Sequence, residues 1–208
     1  MKAFIFDLDG VIVSTDGLHY RAWKALADEE GIYFDEKIND RLRGVSRMAS
    51  LEIILERATR SYTEDEKVAM AEKKNSVYRE LLKVLTPADC LEGVCETLAA
   101  LRAKGYKLAI GSSSKNTRTI LEKIGYGNYF DAISDGNNIK NSKPDPEVFL
   151  KAAEYLGLAP EDCYVVEDAE AGIEAALAGG FTAIGVGGAA AYEKTQISLS
   201  HFSQLLDL

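Results

Sequence analysis

The sequence predicts an α/β protein, a parallel sheet with helices on both faces, interrupted by an inserted helical domain. Two textures point to it. From about residue 16 to 85, apolar residues recur at helical spacing in HYRAWKALADEEG, SLEIILERAT and EDEKVAMAEKKNSVYRELLKVL, with one Gly-Ile-Tyr-Phe break and no strand pattern. After Pro87, short apolar runs alternate with helical ones, the pattern of a Rossmann-like doubly wound sheet. A third observation sets the connectivity: residues 2–6 have the character of a strand buried on both faces and join the same sheet, although the helical block separates them from it. The division expected is a core of residues 1–14 and 87–208 and a helical domain of residues 15–86.

In chain order, the first strand ends at Phe6 and the helical block follows. Helical spacing returns over about 94–104, and YKLAIGS reads as a strand. A helix near 117–124, a strand in YFDAIS and a proline-started helix over 146–156 come next. The strand CYVVED, a helix over 169–178 and the strand FTAIGV complete the alternation. His201 and the tail after Ile197 carry no readable signal. There is no internal repeat or low-complexity stretch.

Composition limits the function. With 208 residues, 47% hydrophobic and 27% charged, the chain is long enough for one large domain or two unequal ones. A net charge of −9 opposes binding to a polyanion, which excludes nucleic acid as the expected partner. Cys90, Cys95 and Cys163 are odd in number and form no C-x-x-C pair, so they read as reduced thiols of a cytoplasmic protein, small residues of the core. The apolar run before Asp7 is too short for a signal-peptide core, and no run elsewhere approaches a membrane span.

The chemistry collects at strand ends. In KAFIFDLDGVIVST, Asp7 and Asp9 project to one side at the carboxyl end of the first strand, provided that extended geometry persists through Leu8. In an open parallel sheet, ligands bind at that end. AIGSSSKN closes its strand with Ser112–Ser114, offering hydroxyls and orphan N–H groups to a phosphate. KNSKPDPEVF presents Lys143, and YVVEDAEAG ends its strand in Glu167 and Asp168. Each element alone has a plain reading: a D-x-D caps a turn or holds the metal of a glycosyltransferase, serines cap helices, and a lone lysine is solvated. An EF-hand is excluded because Leu18 stands where its bidentate Glu belongs. Their occurrence at four strand ends in order favours an active site.

Asp7, Asp9, Glu167 and Asp168 make a hard oxygen pocket suited to Mg²⁺ with a substrate phosphate. An aspartate can then attack phosphorus, and a carboxylate two residues on can move the proton of the exchanging oxygen.

DLDG, Ser112, SKP and ED resemble, in order, the four motifs of the haloacid-dehalogenase-like phosphotransferases, and the helical block looks like that superfamily's small helical cap. HYRAWKAL, RGVSRMASL, EKKNSVYRELL, LTPADCLEGV, SSSKNTRTILEKIG and GNYFDAI resemble the β-phosphoglucomutase family within it. The resemblance implies Asp7 as phosphorylated nucleophile and Asp9 as general acid/base. Mg²⁺ is implied on Asp7, Asp168 and the Asp9 carbonyl, with Glu167 in its first or second shell. It implies Ser112 and Lys143 on the transferring phosphoryl group, with Ser114, Lys115 and Asn116 as supporting phosphate or sugar contacts. In the cap it implies Arg47 on the distal phosphate, with Ser46, Ser50, Lys74 and Asn75 in matching segments. Thr15 and His19 fall at the hinge, where the family's equivalents govern the placement of Asp9. Met48 and Ala49 depart from the pattern, since the family often carries an acidic residue there.

The activity implied is a Mg²⁺-dependent mutase interconverting β-glucose 1-phosphate and glucose 6-phosphate, with β-glucose 1,6-bisphosphate as intermediate and activator. The expected partners are small sugar phosphates, with no nucleic acid and no membrane, and the protein is expected to be a monomer. Two alternatives share the core residues: a phosphatase of small sugar phosphates or phosphoglycolate, and a non-catalytic sugar-phosphate-binding module.

Overall fold

The computed structural model describes residues 2–208. Contacts divide the chain into two units, one holding Leu85–Leu208 with the chain up to Ser14, the other Thr15–Val84.

The first unit is built on six parallel strands: β1 (Ala3–Phe6), β2 (Lys107–Gly111), β3 (Ala132–Ser134), β4 (Cys163–Glu167), β5 (Thr182–Gly185) and β6 (Ile197–Ser198), in the order β3-β2-β1-β4-β5-β6. From β1 the sheet grows one way through β2 and the other way through β4. Such a reversal leaves a crevice between the two central strands, open at their carboxyl ends. Alternation along β1 divides its side chains between two buried faces. Ala3 and Ile5 join Val148, Phe149, Ala152 and Ile173, from the helices α7 (Glu147–Leu156) and α8 (Glu170–Ala178). Phe4 and Phe6 turn to the other face, where Phe4 meets Tyr106 and Tyr164 at ring distances of 5.0 and 4.9 Å and Phe6 meets Phe202 at 5.8 Å.

The second unit consists of α1 (Asp16–Glu29), α2 (Glu36–Asp40), α3 (Arg47–Leu55) and α4 (Glu64–Leu81) around a core that includes Trp23, Leu26, Phe34, Leu51, Ile54 and Met70. Polar side chains cap three of its helices: Asp35 Oδ1 accepts from Ile38 N at 2.9 Å, Ser46 Oγ from Ala49 N at 3.2 Å, and Thr63 and Glu66 form a reciprocal capping box. The first unit also contains α5 (Val94–Ala103) and α6 (Thr117–Lys123).

Four details differ from the sequence reading. The helical block is broken at residues 41–46 and 56–63 as well as at Gly31–Phe34, because each cap begins a separate helix. Strand β3 starts at Ala132 rather than Tyr129: Asp131 N still donates to Leu108 O at 2.8 Å, but Leu108 N is taken at 2.8 Å by the Asp131 carboxylate instead of a backbone carbonyl. The tail supplies β6, two residues that pair with β5. Cys163 is buried, but Cys90 is only half-buried and Cys95 is exposed, so the cysteines are not all core residues. Among the described residues no helix is long and apolar enough to cross a membrane.

Candidate active site

The site forms where β1 and β4 lie side by side. The last ladder bond of β1 runs from Asp7 N to Val166 O at 2.9 Å, and the chain then leaves the strand. It bends at Leu8, whose carbonyl accepts from Ile12 N and Val13 N at 3.0 and 3.1 Å, while Gly10 N donates to Val13 O at 2.8 Å. Extended geometry therefore stops before Leu8, contrary to the sequence reading. Asp7 is placed by the strand, and Asp9 by this turn, where it bridges Val13.

Gly10 takes a φ of 82°, a left-handed conformation that favours glycine, and a Cβ there would fall on the Asp168 carboxylate. Gly172, inside α8, makes the same allowance for Glu167, whose carboxylate occupies the place of a Cβ. Gly172→Ala is expected to destabilise. Helix propensity gains at most about 1 kcal/mol, whereas overpacking a filled interior costs about 1–3 kcal/mol. Thermal unfolding checks this, and a midpoint at or above the parent's would show that Glu167 has room to move.

Lys143 reaches into the site from the segment before α7, with only 5% of its surface exposed. Its ammonium donates to Asp7 Oδ1 at 2.5 Å and to Glu167 Oε1, and lies 4.7 Å from the centre of the Phe149 ring. Glu167 Oε2 accepts from Asp168 N and Ala169 N at 3.0 and 3.1 Å, so both its oxygens are already bonded within the chain. Burial opposes the charge on Lys143, but Asp7 and Glu167 outweigh it and hold the amine protonated. Burial likewise drives the Glu167 carboxyl upward; Asp7 adds to this and Lys143 opposes it. The Asp168 carboxyl is pushed up to about 8, by burial first and then by Glu167, Asp7 and Asp9. One ammonium thus faces a surplus of carboxylate charge. Asp7, Glu167 and Asp168 each offer an oxygen within 4.8 Å of the others, a donor set that fits a hard divalent cation. The Asp9 carboxylate is not in this set, which leaves its carbonyl as the ligand the resemblance implies.

Ser112 is buried at the end of β2, and its Oγ accepts from Ser114 N at 3.2 Å. Ser114 Oγ accepts from Asn116 N at 3.1 Å. These two N–H groups are therefore occupied rather than orphaned, and the serine hydroxyl protons are donors that this loop can still offer an anion. Lys115 is exposed, and its carbonyl accepts from Asn137 Nδ2 at 3.0 Å.

The helical unit holds its own polar cluster. Lys74, 3% exposed, places Nζ 2.8 Å from His19 Nδ1 and 4.6 Å from the ring centres of both Trp23 and Tyr78. Burial, with Lys74 and Arg47 nearby, holds the His19 imidazole neutral, well below its usual range, so Nδ1 accepts from the ammonium. Tyr78 stacks on His19 at 4.0 Å, and its hydroxyl lies 2.8 Å from Thr15 Oγ1. Thr15, His19 and Lys74 are thus one cluster, completed by Trp23 and Tyr78, which the sequence reading did not single out. The available signal was spacing: Trp23 follows His19, and Tyr78 follows Lys74, by one helical turn.

Arg47 opens α3 and is partly desolvated, which lowers its affinity for its proton; Glu72 Oε1 lies 3.8 Å from it. Ser46 caps the same helix, Ser50 is buried in it, and Asn75 is half-buried beside Lys74 on α4. In the same unit Arg43 donates to Asp16 Oδ2 at 3.0 Å, and Asn39 donates to Asp16 Oδ1 at 3.1 Å.

A sequence profile of haloacid dehalogenase-like hydrolases matches residues 1–180. The chain is 44% identical over 189 residues to a β-phosphoglucomutase of Bacillus subtilis, covering 90% of this chain and 84% of the relative. It is 35% identical over 187 residues to a phosphorylated carbohydrates phosphatase of Thermotoga maritima, covering 88% and 84% respectively. The crystal structure of a β-phosphoglucomutase from Clostridium difficile superposes with a TM-score of 0.92 at 41% identity, covering 99% of this chain and 93% of that one. With acids, lysine and serine gathered at the switch point of a doubly wound sheet, and similarity running along nearly the whole chain, this protein belongs to the haloacid dehalogenase-like hydrolase family.

Proposed function

We propose that the protein is a Mg²⁺-dependent β-phosphoglucomutase, interconverting β-glucose 1-phosphate and glucose 6-phosphate through β-glucose 1,6-bisphosphate. The observation that carries a phosphotransferase is the Lys143 ammonium set between the Asp7 and Glu167 carboxylates at the switch point. Asp7 and Asp168, with the Asp9 carbonyl, are assigned to the metal, and Glu167 supports them. When bound, the ion offsets phosphate charge so that a carboxylate can approach phosphorus.

Asp7, as an aspartyl phosphate, transfers its phosphoryl group to the 6-hydroxyl of β-glucose 1-phosphate while Asp9 takes the hydroxyl proton. Asp7 then accepts the 1-phosphoryl group of the bisphosphate, and Asp9 returns a proton to the sugar oxygen, releasing glucose 6-phosphate. Lys143 and Ser112 hold the oxygens of the group in transit. Arg47, with Lys74, Ser46, Ser50 and Asn75 in support, is assigned to the phosphate that is not moving. Ser114, Lys115 and Asn116 are assigned to supporting contacts, and Thr15 and His19 to the placement of Asp9. The protein is proposed to act as a cytoplasmic monomer on small sugar phosphates.

The match to the B. subtilis mutase is 44% identical, against 35% for the T. maritima phosphatase over nearly the same share of the chain, which supports a mutase over a phosphatase. The similarity to the T. maritima phosphatase favours the second reading, hydrolysis of sugar phosphates. One assay separates them. With Mg²⁺ and a trace of β-glucose 1,6-bisphosphate, β-glucose 1-phosphate should yield glucose 6-phosphate; stoichiometric inorganic phosphate instead would identify the phosphatase.

Asp9→Asn is expected to slow transfer to and from sugar hydroxyls by about 10²–10⁴-fold, the usual contribution of a positioned proton carrier. Binding of the sugar phosphate should survive, because the backbone carbonyl at that position is unchanged. Near-parental turnover would assign the proton to another group.

A further inference from the structure

Lys143 is carried by a segment with neither helix nor strand, running from the end of β3 to the start of α7. A catalytic side chain on such a segment is placed only as well as the segment itself is held. Near β3 the holding group is Asn138, whose Oδ1 accepts from Asp135 N at 2.9 Å and from Ser134 Oγ at 3.3 Å. Near α7 it is Glu147. Its Oε2 accepts from the backbone N–H groups of both Lys140 and Asn141, at 2.9 and 2.8 Å. Asp145 Oδ1 accepts from Glu147 N at 2.9 Å, and Asp145 N donates to Ser142 O at 3.1 Å. Lys151, one turn along α7, lies 3.7 Å from the other Glu147 oxygen. The loop thus closes on Glu147 from both sides, with Lys143 at its crown.

We propose that Glu147 is a positioning residue for phosphoryl transfer: by closing the 140–147 loop it sets the point from which Lys143 reaches Asp7 and Glu167. Glu147 touches no reacting group. Its effect passes through Lys143, and the inference rests on the reading of Lys143 as a ligand of the transferring phosphoryl group. The carboxylate satisfies two adjacent backbone donors that no helix or strand serves. Those hydrogen bonds also keep it ionised, below the usual carboxylate range, as a strong acceptor requires.

The test is a cycle of Glu147→Ala, Lys143→Ala and the double variant, with Glu147→Gln alongside. Phosphorylation of Asp7 by acetyl phosphate is followed by intact-protein mass, and turnover of β-glucose 1-phosphate by steady-state kinetics. Glu147→Ala is expected to lower both phosphorylation and kcat by at least about tenfold, the scale on which a misplaced catalytic group acts. Its KM should move by less than about twofold, because the substrate's own phosphate is assigned to Arg47, whereas Lys143 is assigned to the phosphoryl group in transit. Glu147→Gln, whose amide oxygen can accept the same two N–H groups, should recover most of the loss. In the Lys143→Ala background, Glu147→Ala should cost no further factor beyond about twofold, the limit of additivity for uncoupled sites. The same cost with or without Lys143, or a glutamine variant no better than alanine, would overturn the proposal and leave Glu147 a general prop of the fold. Parental phosphorylation in Lys143→Ala would instead remove the reading of Lys143, and the role of Glu147 with it.

Discussion

Asp7→Asn should leave a folded protein that neither turns over sugar phosphate nor takes up a phosphoryl group from acetyl phosphate. The amide nitrogen's lone pair is delocalised into its carbonyl, so the neutral amide is a poor nucleophile toward phosphorus as well as a poor metal ligand, and both the covalent step and its charge compensation fail together. Loss of a covalent nucleophile is expected to lower turnover by at least about ten-thousandfold. The fold should survive, because Asp7 N still closes the ladder to Val166 and Lys143 keeps its bond to Glu167. Incorporated label, mapped by peptide mass, decides the assignment. Label on another residue of the Asp7→Asn variant would mean that the nucleophile lies elsewhere.

Arg47→Ala should separate the two reactions that Asp7 can undergo. In the proposed cycle the bisphosphate presents one phosphate to Asp7 while the other needs a cation of its own, once in each orientation. Arg47 is suited to hold it, because its planar guanidinium binds phosphate with two parallel bonds, it is already partly desolvated, and its contact with Glu72 is loose enough to be exchanged. Acetyl phosphate has no second phosphate, so phosphorylation of Asp7 by it should stay close to the parental rate. Conversion of β-glucose 1-phosphate to glucose 6-phosphate should fall at least about a hundredfold, from loss of a charge-assisted contact worth roughly 3 kcal/mol. Equal loss in both assays would make Arg47 a support of the helical unit. Unchanged mutase activity would favour the phosphatase reading.

The strands and the residues at their ends were legible because a short apolar run closed by a polar residue has few other interpretations in an alternating pattern. Asp7, Ser112, Glu167 and Asp168 are found at the strand ends where that pattern put them, whereas Lys143 lies beyond the end of β3, on the irregular segment before α7. What stayed illegible depends on partners distant in sequence or on one turn of backbone. A D-x-D motif does not reveal that the ladder ends at Asp7 N, so the orientation of Asp9 could not follow from strand alternation. Ser112–Ser114 reads as a row of donors until Ser112 and Ser114 are seen to occupy neighbouring N–H groups themselves. Two residues are too few for β6 to show a period. Tyr78 and Trp23 read as core residues, and only the folded unit shows that they enclose an ammonium. Glu147 reads as an ordinary first-turn acid, since nothing local tells which N–H groups its carboxylate will meet.

The crossing of the two linkers has a consequence for how the chain is organised. The first unit gives up the chain after Ser14 and takes it back at Leu85, and beside these points the two passages are joined: Val13 bridges Cys90, and Leu91 N donates to Ile12 O at 3.0 Å. For the sheet, the long excursion through the helical unit begins and ends at a single clasp. Closing a loop costs only about (3/2)RT ln n, so lengthening what lies beyond the clasp adds little to the cost of folding what lies behind it. The stretch between the two passages can therefore change in length and sequence at little cost to the sheet, because the clasp that closes the excursion lies wholly within the first unit.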